Sequence, residues 1–112
     1  MSGHIEAAVG RYVHVEIDGE AHRIYFDENG TGIPLVCLHT AGSDGRQWRH
    51  LLADQAFAKN FRIIAFDMPW HGKSNPPASW SGEEYRLTTA RYTATIRAFC
   101  QALKLDKPVV MG

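Results

Sequence analysis

The chain is poor in the features that mark several protein classes. Two cysteines in 112 residues cannot staple a small secreted scaffold. Lysine plus arginine number 12 and aspartate plus glutamate number 12, so neither sign leaves a footprint for nucleic acid or an anionic membrane. No apolar run approaches the length of a transmembrane helix. Residues 1–10 hold no apolar leader segment, so no secretory signal is read there. Low-complexity stretches and internal repeats are absent too. Cys37 and Cys100 lie far apart within apolar patterns. They read as buried free thiols rather than a disulfide or a metal pair, which points to a cytoplasmic location. His4, His14 and His22 match no ligand spacing and read as exposed strand or tail residues, so no metal is expected.

What is present is the composition of one globular domain, 45% hydrophobic. The chain is organised around residues 35–42, Leu-Val-Cys-Leu-His-Thr-Ala-Gly. The apolar half of that stretch reads as a strand covered on both faces, because such a strand loses polar alternation. The small residues after His39 leave backbone N–H groups free at a strand end, where open α/β sheets bind ligands. Upstream, residues 11–17 alternate, with Val13, Val15 and Ile17 on one face. Asp18-Gly19 is a favoured hairpin turn, and residues 21–26 return as a second strand.

Downstream, Asp44 and Gln47 stand in capping-box register. Trp48, Leu51, Leu52 and Ala56 follow at helical spacing, and Asn60 closes that helix. Residues 61–66 form the next apolar strand, which makes a βαβ unit with the strand before it. Residues 67–77 read Asp-Met-Pro-Trp-His-Gly-Lys-Ser-Asn-Pro-Pro, a loop at a strand end. Asp67, His71 and Ser74 there admit a catalytic reading. The plainer reading is that Asp67 and Ser74 hold the loop by side-chain bonds to backbone, since a triad is drawn from distant segments. Ser81 and Glu84 are also in capping-box register. Tyr92, Ile96, Phe99 and Leu103 mark one apolar helix face, which is core spacing rather than a cofactor box. Residues 109–111 begin another buried strand.

Three motifs in this order resemble the N-terminal half of an α/β-hydrolase. His39-Thr40-Ala41-Gly42 is similar to that family's strand-end His-Gly-x segment, with Trp48 at the place of a common aromatic. The residues from Asp67 to Ser74 are similar to its Asp-x-x-Gly-x-Gly-x-Ser loop. Pro108-Val-Val-Met-Gly112 is similar to the strand that leads into Gly-x-Ser-x-Gly. Thr40 and Trp70 stand where the family usually has glycine. The resemblance implies an α/β fold: an antiparallel hairpin, then a parallel βαβαβ run, with residues 1–112 as the N-terminal part of one domain.

The chemistry implied is hydrolysis of an ester or related acyl bond of a small molecule, through an acyl-serine and with no cofactor. The nucleophile sits on a strained turn, and one oxyanion-hole N–H comes from the loop after the third strand. By the resemblance that donor is Ala41, with Thr40 the next choice. Gly42 and Trp70 would contact substrate, while His39, Asp67, His71 and Ser74 would shape the loops. Serine, acid and histidine would lie in a second polypeptide that completes the sheet, with self-cleavage at Gly112 one origin of such a break. Rival readings are an acyltransferase on the same fold and a non-catalytic receptor or scaffold. A free-standing flavodoxin-like domain is disfavoured, because no Gly-rich phosphate loop follows the first strand.

Overall fold

A computed structural model describes residues 3–112; Met1 and Ser2, part of the stretch read as lacking a leader, lie outside the described residues. Five strands form one sheet: β1 (Val9–Ile17), β2 (Glu20–Asn29), β3 (Ile33–Cys37), β4 (Phe61–Phe66) and β5 (Val109–Met111). Their order is β1-β2-β4-β3-β5. β1 and β2 form the expected hairpin across Asp18 and Gly19, both at positive φ as a type I′ turn requires. β2 pairs antiparallel with β4, whereas β3 runs parallel to both β4 and β5.

The unbroken apolar runs of β3 and β4 follow from burial on both faces. Val36, Ile64 and Phe66 join Val15, Ile17, Ile24, Phe26 and Phe99 on one side. Leu35, Cys37, Ile63 and Ala65 point the other way, against Leu52, Trp48 and Phe57. The first face is covered by α2 (Thr89–Ala102), whose Phe99 stacks on Phe66 at 4.3 Å and meets Phe26 edge-on at 5.5 Å. Glu28 is buried on β2 between Arg11 of β1 and Arg62 of β4, the latter at 2.8 Å. Flanking cations make that burial tolerable.

Several local expectations are corrected. The single helix read over residues 48–56 is instead a 3₁₀ turn (Gly45–Trp48), a short α1 (Arg49–Leu52) and a second 3₁₀ turn (Phe57–Lys59). The Asp54 carboxylate accepts the Phe57 N–H at 3.1 Å and restarts the chain there. Phe57 and Ala58 then pack where Ala56 was expected, and Ala56 is exposed. Asp44 caps the first turn through the Arg46 N–H at 2.9 Å, but the Gln47 side chain does not return to it, so no capping box closes. Ser81 bonds Glu83 within a loop, and α2 begins later, capped by Thr88 through the Arg91 N–H at 3.1 Å. His22 is buried, with Nδ1 3.0 Å from the Glu20 carbonyl, while His4 and His14 are exposed. Both thiols are free; Cys37 is buried but Cys100 only half so. Desolvation pushes the Cys37 thiol up to about 11.

Two outcomes follow. Phe99→Ala removes the ring that three elements share, and urea unfolding should show a loss of about 3–5 kcal/mol. The Asp44 carboxyl is held down to about 2, first by its hydrogen bonds from the Arg46 side chain. A depressed carboxyl stabilises the fold above its unfolded value and loses that contribution as pH falls through the folded one. The Tm gap between wild type and Asp44→Asn should therefore be constant above about pH 4 and close toward pH 2.

Candidate functional site

Two loops leave the C-terminal ends of the parallel neighbours β3 and β4. After β3 the chain passes Leu38, whose N–H still bonds the Met111 carbonyl at 2.8 Å, and reaches His39. His39 is buried, and its Nε2 accepts the Met68 N–H of the second loop at 3.0 Å. That acceptor role assigns the ring proton to Nδ1, which donates to the Thr40 carbonyl at 2.8 Å. Both nitrogens are committed, so the ring orients backbone and has no site left for a substrate proton.

Residues 40–43 form a tight turn closed by the Ser43 N–H on the Thr40 carbonyl at 3.1 Å. Gly42 takes φ +75°, as the third residue of a type II turn must. The hydrogen bond of such a turn leaves its two central N–H groups unused, and here they belong to Ala41 and Gly42. Neither has an acceptor among the described residues, and both residues are exposed. A Cβ added at Gly42 would meet nothing within 4 Å. Thr40 differs. Its N–H is taken by Gln47 Oε1 at 2.9 Å, and its hydroxyl donates to the same oxygen at 3.3 Å. Thr40, the second choice as a backbone donor, is therefore committed elsewhere.

The second loop is built on Asp67, buried at the end of β4. Its Oδ1 accepts the Gly45 N–H at 2.6 Å and its Oδ2 the Lys73 N–H at 2.9 Å. Gly72 is required here, because a Cβ would lie 2.2 Å from Asp67 Oδ2. The Ser74 hydroxyl donates to the Asp67 carbonyl at 2.7 Å and accepts the Tyr25 N–H at 2.8 Å. Nothing draws its proton toward a base. His71 turns Nδ1 to the Pro69 carbonyl at 3.0 Å, and its ring lies 5.0 Å from that of His39. Asp67, His71 and Ser74 thus share a loop without forming a triad.

Trp70 adopts φ +69°, a region that costs a non-glycine residue about 1–3 kcal/mol. Its ring packs on Tyr85 at 4.8 Å and edge-on to Trp80 at 6.4 Å. Its Nε1 is buried without a partner. A cleft of about 480 Å³ opens beside it, lined by Pro77, Trp80, Arg86 and Arg91 among others. Trp48, by contrast, packs against the core and donates Nε1 to the Leu38 carbonyl at 3.1 Å. The sequence gives Gln47 no motif position in this loop, although its side chain holds Thr40. The only signal for it was a threonine in a glycine position, which brings a polar side chain needing a partner.

Among the described residues no group of three or more His, Cys, Asp or Glu side chains can hold a metal ion. No helix there is long and apolar enough to cross a membrane. Residues 33–112 match the model of the alpha/beta hydrolase fold family. A 2-hydroxy-6-oxononadienedioate/2-hydroxy-6-oxononatrienedioate hydrolase of Burkholderia vietnamiensis is 37% identical over 75 residues, 64% of this chain and 26% of that protein. A proline iminopeptidase of Heyndrickxia coagulans is 36% identical over 87 residues, 78% of this chain and 28% of that protein. A solved mutant of the N-acyl homoserine lactonase AidH, in complex with N-hexanoyl homoserine, is 29% identical with a TM-score of 0.68, covering 93% of this chain and 36% of that one. The chain thus spans little more than a quarter of the curated relatives it matches. The strand order, the two interlocked loops and the match over residues 33–112 agree: this chain belongs to the alpha/beta hydrolase fold family.

Proposed function

We propose that the complete protein hydrolyses an ester or related acyl bond of a small molecule, with this chain supplying half of the oxyanion hole. The observation that carries this reading is the turn at Ala41 and Gly42. It presents two unbonded N–H groups at the C-terminal edge of the sheet, beside open space. Preorganised donors of this kind stabilise negative charge that develops only in the transition state. The Ala41 N–H is the donor and Gly42 lets the substrate carbonyl approach. Trp70 lines the neighbouring cleft and, with Trp80 and Pro77, supplies its apolar part among charged residues such as Glu84 and Arg86.

The nucleophile, acid and histidine are placed in polypeptide beyond these residues. Support comes from β5, which has β3 on one side and an open edge on the other, with Val109 and Val110 exposed. An apolar edge of this sort calls for a pairing strand. The relatives' names, which include a dienedioate hydrolase, a proline iminopeptidase and an N-acyl homoserine lactonase, support a hydrolase. A reducing, cytoplasmic compartment suits the two free thiols.

The test uses the full-length protein and a panel of p-nitrophenyl esters. Wild type should turn over at least the short acyl members and be labelled covalently by a fluorophosphonate. Ala41→Pro deletes the donor at a turn position that favours proline, so kcat should fall about 10²–10³-fold with the fold retained by circular dichroism. An unchanged kcat in this variant rejects Ala41 as the donor, and a wild type that neither turns over nor labels rejects the hydrolase.

A further inference from the structure

The turn that presents Ala41 is steered from outside itself. We propose that Gln47 is a positioning residue for the oxyanion loop, holding Thr40 so that the Ala41 N–H is aimed at the developing charge. This rests on the acyl-hydrolase reading above.

Two successive peptide groups set the aim. In the 39–40 peptide, the Thr40 N–H is anchored on Gln47 Oε1 at 2.9 Å. In the 40–41 peptide, the Thr40 carbonyl is anchored by His39 Nδ1 at 2.8 Å and by the Ser43 N–H at 3.1 Å. A trans peptide points its N–H opposite to its C=O. Anchoring the Thr40 carbonyl against His39 therefore sends the Ala41 N–H away from the protein. Without Gln47, the first of these peptides loses its side-chain anchor, and the aim of the second rests on its two carbonyl bonds alone.

Gln47 can serve as an anchor because its own segment is pinned at several points. Its N–H bonds the Asp44 carbonyl at 3.1 Å, and Asp44 caps the turn through the Arg46 N–H at 2.9 Å. Gly45 N–H is held by Asp67 at 2.6 Å, and Trp48 Nε1 by the Leu38 carbonyl at 3.1 Å. The side-chain oxygen of Gln47 is also identified by chemistry, since both groups facing it are donors from Thr40. It accepts the hydroxyl as well, at 3.3 Å, so one oxygen removes both competing donors of Thr40 from the site. A threonine where the family usually has glycine brings that extra hydroxyl, and Gln47 disposes of it.

The Thr40–Gln47 bonds lie at the surface, where water readily replaces a lost partner. Removing them should disturb aim more than stability, which separates positioning from simple scaffolding. The experiment compares Gln47→Leu, which deletes the acceptor, with Gln47→Glu, which keeps one, in the full-length protein on a p-nitrophenyl ester. Gln47→Leu should lower kcat about 10- to 100-fold, leave KM within about twofold, and move Tm little. Gln47→Glu should recover most of kcat. A kcat unaffected by Gln47→Leu, or a loss seen only in KM or Tm, overturns the proposal. Amide hydrogen exchange supplies a readout independent of turnover: Thr40 should be protected in wild type and fast in Gln47→Leu, with Ala41 fast in both. A Thr40 amide that already exchanges fast in wild type overturns the anchor itself. If wild type turns over no acyl substrate, the hydrolase reading and the catalytic part of this proposal fall together, while the exchange result still decides the anchor.

Discussion

Two side chains at adjacent strand ends exchange hydrogen bonds across the loops they begin. Asp67 follows β4 and holds Gly45, in the loop that follows β3. His39 follows β3 and holds Met68, in the loop that follows β4. Each loop is thus fastened by a residue of the other, and all four groups are buried. A buried donor left without an acceptor costs about 1–3 kcal/mol, so neither bond can be surrendered cheaply. The turn at Ala41, the 3₁₀ segment with Gln47 and the Trp70 loop are all set relative to this pair of bonds.

The parallel sheet makes that exchange geometrically available. β3 and β4 are neighbours running the same way, so their ends and following loops lie side by side. Burial on both faces keeps the strands still: α2 closes one side through Phe99, and the short helical turns close the other through Leu52 and Phe57. Rigid strands then carry loops that need no long-range support of their own. The backbone strain at Trp70 fits the same scheme, because Tyr85 and Trp80 hold its ring while Asp67 holds the loop behind it.

Legibility in the sequence tracked how local each signal was. The strands were readable as strands, because period-two alternation in residues 11–17 and apolar runs in residues 35–37 and 61–66 are local consequences of burial, but residues 109–111, read as a buried strand, leave Val109 and Val110 exposed at the sheet edge. The Asp18-Gly19 turn was readable for the same reason. Helical capping was not. Asp44 with Gln47 and Ser81 with Glu84 satisfy the spacing of a capping box, yet Gln47 found a nearer donor in Thr40 and Ser81 lies well before the helix. Thr88 caps α2 without the acidic partner that would have flagged it. His22 stands two and four residues before the buried Ile24 and Phe26 and shares their inward face; that period-two position, not its polar type, decides its burial.

The sequence by itself determined the order of elements, the family they belong to and the residue types at the two strand ends. Those follow from burial, turn chemistry and motif spacing, which act over a few residues at a time. The tertiary structure alone decided which backbone donors are free. Composition does not separate Thr40 from Ala41, since each carries one N–H in the same short loop, and only the family resemblance ranks Ala41 first. Only the approach of Gln47 and His39, brought in by packing of separate segments, commits the Thr40 groups and turns the Ala41 N–H outward.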